Sequence, residues 1–189
     1  MTPSTLLPPP SLPRTALIGN DLAAEWPFIR WHFRRCIVRN GHISLATTPA
    51  QGWPGLAPVG SLVLLDGMRG YYLEKFTGSV ERAGGEGSPL TVMGADTGRW
   101  FWLKSLYRGR FGRPPGVRLY GVAGARRPAT AEEKDRFLKL VRPLRRLKGY
   151  DMLWADMAQC REIEFVGAEY VRLGKMAPLT MSGNWPQSS

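Results

Sequence analysis

The dipeptide Asn40-Gly41 stands between two apolar runs, Ile29 to Val38 and His42 to Ala46. Asn-Gly is a strong hairpin signal, because both central residues of a type I′ turn need positive φ. Trp26 to Thr48 is therefore expected to form a β-hairpin. Further short runs follow, many of them closed by Gly or Pro. Ser61 to Leu65 ends at Asp66-Gly67, while Leu90 to Met93, Trp100 to Leu106 and Val117 to Val122 read as strands. Glu162 to Val166 and Tyr170 to Leu173 read as two more, joined at Gly167. Met68, Tyr72 and Phe76 share a helical face, but the same stretch also fits a hairpin strand. Thr48 to Gly60, Gly78 to Pro89 and Tyr107 to Pro115 are rich in Gly or Pro and read as loops.

One helix announces its own start. In Thr130-Ala131-Glu132-Glu133 the threonine hydroxyl and the third-position carboxylate can satisfy free N–H groups reciprocally. Phe137, Leu140, Val141 and Leu144 continue as an apolar stripe, which Pro143 should kink or end. The fold expected is α+β, an antiparallel sheet with few helices. Residues 1–21 are Pro-rich and read as a flexible arm, 22–186 as a single domain, and 187–189 as a frayed tail.

Of the ionisable residues, 26 are Lys or Arg and 15 are Asp or Glu, a net charge of +11. Twenty of the cations are Arg, whose planar fork suits bidentate phosphate contacts and stacking on bases. The charge is concentrated. From Arg99 to Arg127 there are eight cations and no acid, and 128–148 adds seven against three acids. A one-signed stretch of this length is the footprint of a nucleic-acid groove, or else of a surface for an acidic protein. Lys104, Arg108, Arg110, Arg113, Arg126 and Arg127 are expected to line it, helped by Arg145, Arg146 and Lys148. Trp100, Trp102 and Tyr107 lie among them and could stack on bases, although one or both tryptophans could instead fill the core. Arg14, Arg161 and Arg172 lie outside the cluster and are expected to matter less.

Catalytic chemistry is not expected. The chain has no phosphate-binding Gly-rich loop, no dinucleotide fingerprint and no zinc spacing. His32, Cys36 and His42 lack a fourth ligand for a metal site, and an RNA-cleaving role for either histidine is the enzymatic alternative. No cofactor or metal is expected. Two distant cysteines, Cys36 and Cys160, suggest a reducing compartment and no disulfide. No apolar run reaches membrane-spanning length, and the N-terminus lacks the pattern of a secretion signal. A cytoplasmic protein without a membrane partner is expected.

Three segments resemble the small RAMP-superfamily subunit of type IV CRISPR complexes. They are Ser61-Leu62-Val63-Leu64-Leu65-Asp66-Gly67-Met68, then Ser88-Pro89-Leu90 followed by Trp100-Phe101-Trp102-Leu103-Lys104-Ser105, then Phe137 to Tyr150. They lie in order between Trp26 and about Pro178, although the basic loop after the last helix is shorter here. The resemblance implies a ferredoxin-like, RRM-type sheet with an inserted hairpin or thumb. It implies a non-catalytic subunit that grips the 5′ handle of a crRNA and caps one end of the ribonucleoprotein. The implied partners are crRNA, RAMP backbone subunits, the large subunit of the effector complex and target DNA. A different plasmid- or phage-borne nucleic-acid-binding protein, or a RAMP-type RNA endonuclease, are the other readings.

Overall fold

The computed structural model describes residues 11–49, 52–75, 78–142, 145, 146, 150 and 157–176. Helix α1 (Gly19–Asn40) comes first, then β1 (Ile43–Thr47), β2 (Gly55–Val59), β3 (Val63–Leu64) and β4 (Arg69–Leu73). The short α2 (Ser79–Arg82) leads to β5 (Pro89–Ala95), α3 (Arg99–Arg108), β6 (Gly116–Pro128), α4 (Ala131–Val141) and β7 (Gln159–Tyr170). The seven strands form one antiparallel sheet in the order β2-β1-β5-β6-β7-β4-β3, curled into a half-barrel. Its longest strands, β6 and β7, shift register at Tyr120/Gly121 and again between Ala123 and Arg126. Such irregularities bend a strand and increase its twist, which suits a sheet that must curl.

The expected hairpin at Asn40-Gly41 is instead the end of α1. Gly41 takes φ 77°, and its N–H donates to the Ile37 carbonyl at 2.8 Å. A left-handed glycine closes a helix as readily as it turns a hairpin. The decisive pattern was Leu22, Trp26, Ile29, Phe33 and Ile37, all buried and spaced by three or four. They fill the half-barrel together with Leu45, Val92, Leu119, Ile163 and Phe165. Each such side chain contributes roughly 1.5–3 kcal/mol by leaving water. A second cluster, with Tyr71, Leu73, Phe137, Val141, Met157 and Cys160, lies where α4 packs. Tyr72 belongs to the first cluster and its neighbours to the second, so β4 is covered on both faces.

The α+β class and the antiparallel sheet stand, but the ferredoxin-like arrangement does not. A split βαβ unit needs a helix joining two parallel strands with another strand between them. Here α3 joins β5 to β6 and α4 joins β6 to β7, each pair adjacent and antiparallel. Across α2, β4 and β5 are separated by two strands and also run in opposite senses.

Other segments differ locally. Trp100 to Leu106 is helical, within α3. Met68 to Phe76 resolves to strand over β4, and part of the expected loop at 48–60 is β2. Glu162 to Val166 lies within one strand that runs on through Gly167 to Tyr170. Of the expected arm, residues 11–21 are held in place. Leu17 exchanges backbone hydrogen bonds with Ala168 at 2.7 and 3.0 Å, and Thr15 Oγ1 donates to Glu169 at 2.6 Å. Thr130 caps α4 as expected, its hydroxyl accepting from Glu133 N at 3.2 Å while Thr130 N donates to Glu133 Oε2 at 2.9 Å. Pro143, Leu144 and the tail at 187–189 lie outside the described residues. Among the described residues no helix is long and apolar enough to cross a membrane.

Candidate functional site

The acid-free run in sequence is not acid-free in space. Arg118 meets Glu169 at 2.7 Å and Arg126 meets Glu74 at 2.9 Å. Arg127 donates twice to Glu133, at 2.6 and 2.9 Å, and again to Glu162 at 2.8 Å. Arg113 turns inward to Asp96, with its guanidinium 4.1 Å from the ring centre of Phe101 and 5.4 Å from that of Trp31. Asp96 also accepts from Arg35 at 3.1 Å and from the Gly98 N–H at 2.8 Å. Burial pushes its carboxyl up, but the Gly98, Arg113 and Arg35 hydrogen bonds overcome that and hold it at about 2. Arg113, Arg126 and Arg127 therefore each pair with acids brought from other segments, Arg113 turned inward and Arg126 and Arg127 still partly exposed.

The other expected residues separate into two places. Trp100, Lys104, Tyr107, Arg108 and Arg110 are exposed on α3 and just beyond it. Trp102 is half-buried, its Nε1 donating to the Asp96 carbonyl at 2.6 Å. Arg145 and Arg146 lie past the end of α4, beside Lys139 and Arg142. Lys148 lies outside the described residues. Arg161, expected to matter little, is 1% exposed. It pairs with Glu81 and donates to the Gly124 carbonyl at 3.1 Å.

A concavity lies at the β3 edge of the sheet, between α1 and α4. It is a cleft of about 660 Å³. Its apolar part is Phe33, Leu62, Leu64 and Leu140, with Trp31 half-exposed beside them. Trp31 is held by Arg35 and Arg113, 5.3 and 5.4 Å from its ring centre, and by Phe28 at 5.8 Å. Arg30, Arg34, Arg136 and Lys139 also line the cleft. Arg30 pairs with Asp66 and Lys139 with Asp135, whereas Arg34 and Arg136 form no ion pair with a described acid. Lys139 also borders a second, shallower hollow lined by Arg142, Arg145 and Arg146.

These cations were missed as a group because they come from two helices about a hundred residues apart in sequence. On α1, Arg30 and Arg34 are one turn apart; on α4, Arg136 and Lys139 are three apart. Reading Ile29 to Val38 as a strand hid the first pair.

His32 and Cys36 lie together, whereas His42 and Cys160 lie apart from them. His32 is fully buried, its Nε2 3.0 Å from the Gly94 carbonyl and 3.5 Å from Cys36 Sγ. Burial lowers its pKa, so the ring stays neutral. His42 is exposed, its Nδ1 3.1 Å from the Asn40 carbonyl. Cys36 and Cys160 sit in the two separate clusters, with thiols that burial pushes up to about 12 and about 11. Of the two histidines considered for RNA cleavage, His32 is sealed from solvent and cannot meet an RNA, whereas His42 is exposed.

No protein-family model matches the chain, and no curated protein matches it. Among solved structures it is similar in course to an FMN-binding protein from Syntrophomonas wolfei subsp. wolfei. That likeness is 12% identical over 82% of this chain and 97% of the other, with a TM-score of 0.48. It is also similar to HupZ of Group A Streptococcus, 17% identical over 72% and 90%, with a TM-score of 0.44. HutZ, the heme storage protein of Vibrio cholerae, is 12% identical over 76% and 92%, with a TM-score of 0.41.

The CRISPR resemblance is corrected by the topology of the sheet. Ser61 to Met68 does not run from a strand into a helix, but is an edge strand turning back through Gly67 into β4. The Trp100-Phe101-Trp102 stretch is a helix. The role of gripping a crRNA handle and capping a CRISPR ribonucleoprotein falls with the resemblance.

Proposed function

We propose that this chain is a small-molecule-binding protein whose ligand is a flat, amphipathic anion. The ligand is a conjugated ring system bearing phosphate or carboxylate groups, seated in the cleft between α1, β3 and α4. The observation behind this reading is the pairing of an apolar floor with a rim of one sign. Val63 and Leu140, both partly exposed, offer surface to a ring, and Trp31 offers an aromatic wall. Arg34 and Arg136, which form no ion pair with a described acid, offer forks to an anionic group. The hollow at Arg142, Arg145 and Arg146 extends that positive field. A cleft of about 660 Å³ is of the size that encloses a cofactor-sized molecule.

The reading is of a binder and not an enzyme. His32 and both thiols are buried, and none of the described histidines or cysteines lines the cleft.

FMN and hemin are suitable probes. Both are flat and anionic, and the similar structures include an FMN-binding protein and a heme storage protein. Titration followed by flavin fluorescence or heme absorbance should show saturable one-to-one binding of at least one of them. The double substitution Arg34→Gln, Arg136→Gln should weaken it by about tenfold or more, the equivalent of one charge-assisted hydrogen bond. Absence of saturable binding for both probes, or equal affinity in the variant, overturns the reading.

A further inference from the structure

Helix α3 has large apolar side chains on all sides, a pattern that belongs to buried helices. Its inner side is well anchored. Phe101 and Trp102 pack against Phe111, tilted and edge-on, with ring centres 5.6 and 5.3 Å from its own, and Ser105 is buried. Its outer side is open. Trp100 is 82% exposed, Tyr107 92% and Leu103 58%.

At 100° per residue, Leu103, Tyr107 and Trp100 form one outward stripe opposite Ser105. Arg99 flanks that stripe on one side, with Lys104 and Arg108 on the other. Arg110 follows directly after the left-handed Gly109 that closes the helix. Beside Trp100 a hollow is lined by Arg39, Thr97 and Arg99. The nearest acid in sequence, Asp96, is buried and occupied by its own donors.

We propose that α3 docks this protein on an anionic lipid surface, lying in the plane of the interface. Trp and Tyr favour the headgroup level, Leu goes deeper, and cations on both flanks meet phosphates. Charge complementarity selects this occupant. Two copies of α3 packed face to face would set Arg99, Lys104 and Arg108 against like charges, whereas an anionic surface neutralises all of them. The inference concerns a different surface from the cleft and does not depend on the cleft's ligand.

The test is co-sedimentation of the full chain with vesicles of phosphatidylcholine alone and with phosphatidylglycerol added. Binding is expected only with phosphatidylglycerol. A net charge of +11 could give some attraction by itself, so the deciding variant leaves charge unchanged. Trp100→Ser with Tyr107→Ser should reduce vesicle affinity by about tenfold or more, through lost apolar insertion. Both side chains are exposed, so circular dichroism and the urea midpoint should match the parent; Tyr107→Ser alone serves as the milder variant. Arg99→Gln, Lys104→Gln and Arg108→Gln together should also reduce binding. Parent-like vesicle binding by the Trp100/Tyr107 variant overturns the proposal, leaving only diffuse charge. No binding to phosphatidylglycerol vesicles overturns it too. So does a parent dimer that the Trp100/Tyr107 variant dissociates, which would make α3 the contact between copies.

Discussion

The guanidinium of Arg127, at the end of β6, grips the carboxylate of Glu133, in the first turn of α4, with two hydrogen bonds of 2.6 and 2.9 Å. The same carboxylate closes the capping box on Thr130. One acid therefore fixes both the start of α4 and its attachment to the sheet, and so the position of Arg136 and Lys139 over the cleft.

This relationship has a pH signature. The Arg127 hydrogen bonds hold the Glu133 carboxyl at about 2, below its ordinary 4.5. A depressed carboxylate contributes stability in full above its unfolded pKa and loses it as pH falls through the folded one. Arg127→Ala should cost about 1 kcal/mol at neutral pH, a modest value because the arginine is a third exposed. In urea unfolding that penalty should shrink between pH 4.5 and about 2. A penalty independent of pH would contradict the assignment.

Arg113 and Arg108 should behave differently although they are neighbours in the basic run. Arg113→Ala removes a partner of the buried Asp96 and should cost about 2–3 kcal/mol, softened by Arg35 and Arg39. Arg108→Ala and Arg110→Ala, both fully on the surface, should stay within about 0.5 kcal/mol of the parent. Chemical denaturation of the three single variants checks this, and equal effects would refute the inward orientation of Arg113.

Arg161→Ala should be the most destabilising arginine substitution of those considered, by about 3 kcal/mol or more. Its side chain is 1% exposed, and its loss would leave the Gly124 carbonyl without its donor and the buried Glu74 with Arg126 as its one remaining described arginine. A melting temperature within a degree or two of the parent would contradict this.

The sequence made some of this legible and hid the rest for physical reasons. The Thr130 to Glu133 box is purely local chemistry, and it appeared where expected. The cores of β5 and β6 were visible as apolar runs between Gly and Pro. Helices α1 and α3 were not, because Ile18 and Gly98 cap them without a side-chain hydrogen bond and no start signal is written. Pro27 inside α1 and Asn40-Gly41 at its end imitate strand punctuation. The basic run was visible, but its neutralisation was not. Glu74, Glu162 and Glu169 reach Arg126, Arg127 and Arg118 only through sheet pairing. For the same reason the cleft could not be read locally, since its lining comes from α1, β3 and α4, which are far apart in sequence.

The most direct test of the cleft is amide hydrogen exchange with and without a saturating probe, FMN or hemin. The account predicts slowed exchange in residues 27–34 of α1, 62–66 around β3 and 136–142 at the end of α4, with little change along β1 and β2. Protection confined to other elements, or none at saturation, would contradict a ligand site between α1 and α4.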